Sequence, residues 1–190
     1  FTVYRNDGGF YLPTDRNVSF LISTTTLENK SYILKEETYE VELFKDFYIT
    51  KQLLSTIKST NKLINTVGSI FADENGYQNC LLLNEEKNVV EALNGNLFMI
   101  SGNRLVTPPL SEACLNGIMR KQVLALAKKT EGLEVIEEPI SPFDLQKADE
   151  LFITNVIQGI QPITKYRKKD FAIDWSKILL EKINQLVEIN

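Results

Sequence analysis

Apolar and polar residues alternate in short runs along the first fifty residues of the 190-residue chain. The alternation is clearest from Tyr39 to Leu43, and the stretches NDGG, PTDRN and LENK interrupt it. A period of two is typical of β-strands, and the interrupting residues are typical of turns. The chain begins at Phe1 within such a run. We therefore expect residues 1–50 to be a strand-rich segment that continues from an N-terminal domain missing from this sequence.

The period changes after Asn61, where apolar residues recur at the spacing of one helix face: Leu63, Ile64, Val67, Ile70 and Phe71. This pattern predicts a helix that ends near the ENG sequence at 74–76. Short strand-like runs follow at 81–83, 89–92, 97–100 and 105–107. Asn and Gly residues separate these runs and favour tight turns. We expect the runs to form hairpins in one antiparallel sheet.

Helices and a strand are predicted again in the last third of the chain. One helix is predicted to begin near Ile118 and to end with lysines before Gly132, and Ser141 is a candidate N-cap followed by Pro142. A strand is predicted at 151–154, and the chain ends in an amphipathic helix. Strands and helices together predict an α+β fold with a β-rich core.

Composition excludes several classes of function. The chain is 43% hydrophobic and 24% charged, which is ordinary for a globular protein. The net charge of -4 gives no basic stripe for nucleic acid, and no apolar run approaches the roughly 18 residues of a membrane span. Neither cysteine belongs to a CxxC pair, so we expect no metal site and a reducing, cytoplasmic location. Because the chain has no histidine, its chemistry must come from Lys, Glu, hydroxyls, amides or a bound cofactor.

Two charged residues are candidates for chemistry, each with an ordinary structural alternative. Lys58 follows Ile57 in what resembles an apolar strand. A lysine that is partly withdrawn from water can exist as the neutral amine that forms a Schiff base, although most such lysines extend to solvent. Glu91 ends an apolar run before an Asn-Gly-Asn turn, where an edge-strand acid in water is the commoner case.

Two turns are candidates for binding an anion. In CLNGIMR, an Asn-Gly step before the helix predicts unbonded backbone N–H groups at Ile118 and Met119. In ITNVIQGIQPI, a strand ends at Thr154 and Asn155, whose side-chain donors suit an anion and equally suit an ordinary turn. An amine, an acid and two anion-binding turns are together the groups that pyridoxal phosphate needs.

The order of these stretches closely resembles the class IV aminotransferases, which are pyridoxal-phosphate enzymes of fold type IV. That family includes branched-chain aminotransferases, D-amino-acid transaminases and aminodeoxychorismate lyases. The resemblance rests on Lys58 followed by EALNGNLF, TPPLSEACLNGIMRK and LFITNVIQGIQPI. The spaced family signature is met by Glu91, Asn96, Leu97, Phe98, Thr107, Leu115, Gly117, Ile118 and Arg120. The resemblance implies a β-rich, cofactor-binding large domain with flanking helices, whose main part, with the C-terminal helix, is residues 51–190.

The resemblance also implies a role for each candidate around pyridoxal 5'-phosphate. Lys58 would be the catalytic Schiff-base lysine and proton carrier, and Glu91 would hold the proton on the pyridinium nitrogen. Leu115 would pack on a face of the ring.

The remaining predicted residues would bind the phosphate. Gly117 precedes the helix start, and the backbone N–H groups of Ile118 and Met119 would hold the phosphate from one side. Asn155 and the backbone of Val156 would close the site from the other side.

Three departures from the family pattern bear on function. Met119 stands where some relatives have Thr, which removes a hydroxyl from the phosphate site. Leu63 stands where branched-chain enzymes have a Tyr near the cofactor. Relatives carry an additional N-terminal domain that nothing here matches, so we expect the chain to be inactive as given.

The reaction implied by the resemblance is amino-group transfer between an amino acid and a 2-oxo acid, in a homodimer. One alternative is an aminodeoxychorismate lyase that releases 4-aminobenzoate and pyruvate. Another is a truncated domain that binds the cofactor without catalysis. The sequence predicts neither a nucleic-acid partner nor a membrane partner.

Overall fold

The computed structural model describes residues 1–188, with side chains described as far as residue 186. The chain divides into two compact units, residues 1–30 and the remainder from Ser31. In the first unit, strand β1 (Thr2–Arg5) pairs antiparallel with β2 (Val18–Leu21). The domain boundary expected at residue 50 stays a prediction.

The second unit contains the remaining strands and all four described α-helices. The helices are α1 (Leu63–Glu74), α2 (Ile118–Ala127), α3 (Pro142–Leu145) and α4 (Asp174–Glu188). Two short 3-10 helices span Leu53–Thr56 and Leu110–Glu112. The strands are β3 (Glu40–Ile49), β4 (Asn79–Asn84), β5 (Val89–Ala92), β6 (Gly95–Ser101), β7 (Arg104–Thr107), β8 (Glu134–Glu137), β9 (Glu150–Asn155), β10 (Gly159–Ile163), β11 (Lys165–Tyr166) and β12 (Lys169–Asp170).

These strands form one ten-stranded sheet in the part of the chain that the structure describes. Its main path runs β10-β9-β6-β5-β4-β3-β11-β12, with β7 beside β6 and β8 beside β7. The predicted hairpins are confirmed, because β4, β5, β6 and β7 pair antiparallel in turn. The sheet as a whole is mixed, since β3 pairs parallel with β4 and with β11, and β7 pairs parallel with β8. Helix α1 connects β3 to β4 and α2 connects β7 to β8, and such crossovers allow parallel pairing.

Helix α1 begins and ends where the sequence pattern predicts, but fewer residues of the predicted apolar face are buried. Ile64, Val67 and Phe71 pack against a cluster that contains Phe44 and Leu82. The other two members of the predicted face are exposed, and they are Leu63 and Ile70. The helix therefore lies on the sheet through a single stripe of side chains.

The other helix boundaries follow local chemistry. Helix α2 begins at Ile118 as predicted, directly after Gly117. The N–H of Ser141 donates to the Asp144 carboxylate at the start of α3. Helix α4 is anchored by buried Glu150, which accepts the N–H groups of Trp175 and Ser176. A charge at this end complements the helix dipole.

The α+β, β-rich architecture predicted from the sequence is confirmed, with α2 and α4 packed over one face of the sheet. None of the helices in residues 1–188 has the length and hydrophobicity that crossing a membrane requires. Over the same residues, no three Asp, Glu or Cys side chains are grouped as metal ligands would be.

Candidate functional site

A cavity of about 510 Å³ lies in the second unit, where β5, β6 and β9 meet the start of α2. All eight residues predicted for the site line this cavity: Lys58, Glu91, Leu115, Gly117, Ile118, Met119, Asn155 and Val156. The structure thus brings together four stretches that are far apart in the sequence. Their individual roles stay predictions.

One wall of the cavity is a row of polar residues across three neighbouring strands. Glu91 on β5 is the register partner of Asn96 on β6, and Asn96 is the partner of Thr154 on β9. Directly paired residues point to the same face of a sheet, so the three side chains lie in one line. They are 5%, 4% and 2% exposed, respectively. Polar groups so deeply buried require partners or a function.

The first two members of the row hold the backbone of Leu115. Glu91 Oε2 accepts the N–H of Leu115 at 2.7 Å, and Asn96 Nδ2 donates to the carbonyl of Leu115 at 2.7 Å. The next residue, Asn116, donates its N–H to the carbonyl of Thr56 at 2.9 Å. The loop before α2 is therefore fixed to the sheet and to the segment that leads into Lys58.

Glu91 is not an edge-strand acid in water, because β5 lies between β4 and β6. Burial raises the pKa of the Glu91 carboxyl from 4.5 to about 7. The Leu115 hydrogen bond and the charges of Lys62 and Lys58 lower this pKa, but burial has the larger effect. Within residues 1–188, only the Leu115 N–H donates to this carboxyl. A cationic donor in the cavity would therefore favour the ionised form of Glu91.

The start of α2 needs glycine at position 117 for a steric reason. A Cβ on Gly117 would lie 2.2 Å from Asn96 Oδ1. Gly117 also provides no side-chain cap, so the N–H groups of Ile118 and Met119 occupy an uncapped first turn beside the cavity. Backbone N–H groups in the first turn have no acceptor within the helix and favour an anion.

The turn between β9 and β10 differs from the prediction in one respect. Asn155 Oδ1 accepts the N–H groups of Ile157 and Gln158, and its Nδ2 donates to Gln158 Oε1 at 2.9 Å. The Asn155 side chain thus shapes its own turn, which is the ordinary role that the sequence also allowed. The carbonyl of Val156 accepts the Tyr32 hydroxyl at 3.0 Å, which holds the turn beside the cavity.

Lys58 lies in an irregular segment after the first 3-10 helix, so its assignment to an apolar strand is wrong. Its side chain is exposed, and the withdrawal from water argued from the sequence is not found among the described residues. A second lysine, Lys62, also lines the cavity and is half-buried directly before α1. Lys62 was not predicted as a site residue, although its position four residues after Lys58 is visible in IKSTNK.

Comparison with protein-family models gives one match, to amino-transferase class IV over residues 1–166. The chain belongs to this family. Class IV membership agrees with the arrangement of Lys58, Glu91 and the α2 start around one cavity, and it confirms the resemblance found in the sequence.

Known class IV proteins similar to this chain include more than one activity. A Methanocaldococcus jannaschii protein, assigned by name to the branched-chain-amino-acid aminotransferases, is 41% identical over 132 residues, which are 70% of this chain and 43% of that protein. The aminodeoxychorismate lyase of Vibrio harveyi is 27% identical over 65% of this chain and 45% of its own length. The chain therefore spans less than half the length of either relative.

A solved structure shares the fold. The branched-chain amino acid aminotransferase of Thermobaculum terrenum, in its pyridoxal-phosphate form, superposes with a TM-score of 0.72 at 26% identity. The match covers 78% of this chain and 50% of that one. The fold of the present chain is thus that of a fold-type IV pyridoxal-phosphate enzyme.

Proposed function

We propose that this chain is the cofactor-binding part of a pyridoxal-phosphate-dependent aminotransferase, which moves an amino group between an amino acid and a 2-oxo acid. The observation that carries the proposal is the cavity, because an amine, a buried carboxyl and an uncapped helix start line one space of about 510 Å³. The class IV match and the pyridoxal-phosphate form of the Thermobaculum relative support the choice of cofactor.

The residues present fit the chemistry of that cofactor. One oxygen of Glu91 is bonded to Leu115, which leaves the other for a protonated ring nitrogen. The start of α2 has no side-chain cap and lines the cavity, so the N–H groups of its first turn are available to the phosphate group. When bound, pyridoxal phosphate supplies an electron sink that makes the α-proton of an attached amino acid acidic.

Each predicted residue then has one task. Lys58 would hold the cofactor through its amine and would move a proton at the α-carbon of the substrate. Glu91 holds a proton on the ring nitrogen, since its carboxylate favours the cationic ring. Leu115 packs against the ring and excludes water from one side.

The phosphate would be held at the opposite end of the cavity. The N–H groups of Ile118 and Met119, after Gly117, are the first set of donors. Asn155 and Val156 belong to a turn that also lines the cavity. In this assignment Asn155 acts mainly by setting the shape of that turn, because its own amide is already bonded within it.

Borohydride reduction of the protein after incubation with pyridoxal phosphate tests the assignment of Lys58. Peptide mapping by mass spectrometry is expected to find the reduced adduct on Lys58, and Lys58→Ala is expected to lose it. The matched control is Lys62→Ala, which removes the other cavity lysine and should keep the adduct. An adduct on Lys62, or one spread over surface lysines, would contradict the assignment.

A lyase is the second candidate, and the similarity to the Vibrio lyase favours it. Assays of the full-length protein, loaded with the cofactor, separate the two reactions. A transaminase consumes a 2-oxo acid only when an amino donor is present, whereas a lyase releases pyruvate from aminodeoxychorismate without an amino acceptor. Absence of both activities, with the Lys58 adduct still formed, would favour a domain that only binds the cofactor.

Assembly and location are further proposals. We infer a homodimer from the family resemblance. We infer a cytoplasmic location from the two cysteines, which are both unpaired and buried. Light scattering of the purified protein tests the dimer.

A further inference from the structure

We propose that the hydroxyl of Thr154 is a side-chain donor to the phosphate group of the ligand in this cavity. The inference rests on the proposed function, since it assumes that the ligand carries a phosphate ester. Thr154 is one of two polar residues at the end of strand β9.

Thr154 is the unsatisfied member of the polar row. Its Oγ1 is buried and has no hydrogen-bond partner among the side chains and backbone that the structure describes, whereas the Glu91 and Asn96 side chains are both bonded to Leu115. The residue is 2% exposed and lines the cavity. A buried hydroxyl without a partner costs free energy, and valine would fill the same space in a strand without that cost. A partner supplied by the ligand accounts for a threonine at this position.

The position of Thr154 in the row favours a phosphate as that partner. Glu91 lies two strands away, which corresponds to about 9–10 Å across the sheet. An anion is therefore best placed at the Thr154 end, far from the Glu91 carboxyl. The uncapped start of α2 also lines the cavity, and its N–H groups favour an anion as well.

Two glycines allow the helix start and β9 to lie close to β6 at this end of the row. Gly95 precedes Asn96 on β6, and a Cβ there would lie 2.7 Å from the carbonyl of Thr154. A Cβ on Gly117 would lie 2.2 Å from Asn96 Oδ1. Thr154 and the uncapped start of α2 are thus both close neighbours of the Gly95–Asn96 pair.

Thr154→Val tests the inference, because it keeps the shape of the side chain and removes the donor. Calorimetric titration with pyridoxal phosphate is expected to show binding weakened by about ten- to a hundredfold, the usual effect of losing a hydrogen bond to a charged group. Urea unfolding of the ligand-free variant is expected to show stability equal to or above that of the wild type. A residue with a merely structural role would not give this opposite pair of effects.

Three controls make the outcome decisive. Thr154→Ser keeps the hydroxyl and should bind as the wild type does, while Thr154→Ala should bind weakly and serves in place of valine if that variant does not fold. Pyridoxal, which lacks the phosphate, should bind the wild type and Thr154→Val equally. A wild type that does not bind pyridoxal phosphate would overturn the proposed function. Equal binding of pyridoxal phosphate by wild type and Thr154→Val, or an equal loss of pyridoxal binding, would overturn this inference alone.

Discussion

Glu91 and Asn96 face each other across β5 and β6 and hold opposite ends of one residue, Leu115. The carboxylate accepts its N–H and the amide donates to its carbonyl, both at 2.7 Å. The row of the sheet that lines the cavity thereby also fixes the loop before α2. Because Gly117 follows two residues later, the position of the helix start depends on these two side chains.

Gly117→Ala is expected to destabilise the protein through Asn96. The new Cβ would lie 2.2 Å from Asn96 Oδ1, so the amide or the loop must move. Overpacking of this kind costs roughly 1–3 kcal/mol, and Asn96→Ala alone costs about as much by leaving the Leu115 carbonyl without its donor. The double variant should cost less than the sum, because the clash requires both side chains. Urea unfolding of the wild type, the two single variants and the double variant gives the coupling energy between positions 117 and 96.

Gly76→Ala is the control for this cycle. Gly76 has a positive φ of 74°, but a Cβ there would meet nothing within 4 Å. Its substitution should be costly through backbone strain alone and additive with Asn96→Ala. Additive effects for Gly117 and Asn96 as well would show that no clash couples them.

The stability of the ligand-free protein is expected to fall as the pH rises toward neutrality because of Glu91. Its pKa is about 7 in the folded protein against an ordinary value of 4.5, so between these pH values the folded state binds more protons than the unfolded state. The free energy of unfolding should therefore decrease over this window, by about 3 kcal/mol in total from this group. Urea unfolding at a series of pH values measures the slope.

Glu91→Gln isolates this contribution. The amide keeps an oxygen for the Leu115 N–H and does not titrate, so the difference between wild type and variant should change only between about pH 4.5 and 7. If the difference in the free energy of unfolding does not change across that range, burial does not raise the pKa of the Glu91 carboxyl in the folded protein.

Lys62→Met is expected to raise the pKa of Glu91 further. The charges of Lys62 and Lys58 both lower that pKa, with Lys62 having the larger effect. Removing Lys62 should therefore move the upper end of the pH window to higher pH, and Lys58→Met should move it less. Each lysine variant is compared with the same variant carrying Glu91→Gln. The difference in their free energies of unfolding stops changing with pH near the folded-state pKa of Glu91, and that pH measures the shift. A larger shift for Lys58→Met would reverse the order of the two lysines.

Local sequence patterns predicted the helix boundaries that depend on residues close together in the chain. The period of apolar residues gave the span of α1, and the Asn-Gly step before Ile118 gave the start of α2. The resemblance to the class IV family selected eight residues, and all eight line one cavity. Each of these inferences depends on neighbours in the chain or on a spaced motif that sequence displays directly.

The remaining features depend on contacts between distant segments. The parallel pairing of β3 with β4 and the burial of Glu91 follow from strand order, which alternation does not encode. The hydrogen bonds that Asn155 makes within its own turn were allowed by the sequence but not required by it. Asn155 has hydrogen-bond partners for its side chain, whereas Thr154 Oγ1 has none among residues 1–186, and that difference appears only in three dimensions.

Glu112→Gln is expected to destabilise the protein at neutral pH, and the loss should disappear in acid. The Glu112 side chain is 6% exposed and accepts hydrogen bonds from Lys51, Asn84 and Asn88 at 2.7–2.9 Å. Burial alone would raise the pKa of this carboxyl, but the three donors outweigh it and hold the pKa below 4.5. A carboxyl with a depressed pKa stabilises the folded protein at pH values above its ordinary pKa. That stabilisation is lost as the pH falls through the pKa of the folded state.

The matched control for Glu112 is Glu86→Gln. Both carboxylates lie 2.9 Å from Lys51 Nζ, but the Glu86 side chain is 60% exposed. We expect roughly 1–3 kcal/mol for Glu112→Gln at pH 7 and less than about 1 kcal/mol for Glu86→Gln, because water screens the exposed pair. Urea unfolding at pH 7 and at pH values below 4 provides the comparison. Equal losses for the two variants would mean that the ion pair with Lys51, and not the buried amide donors, gives Glu112 its effect on stability.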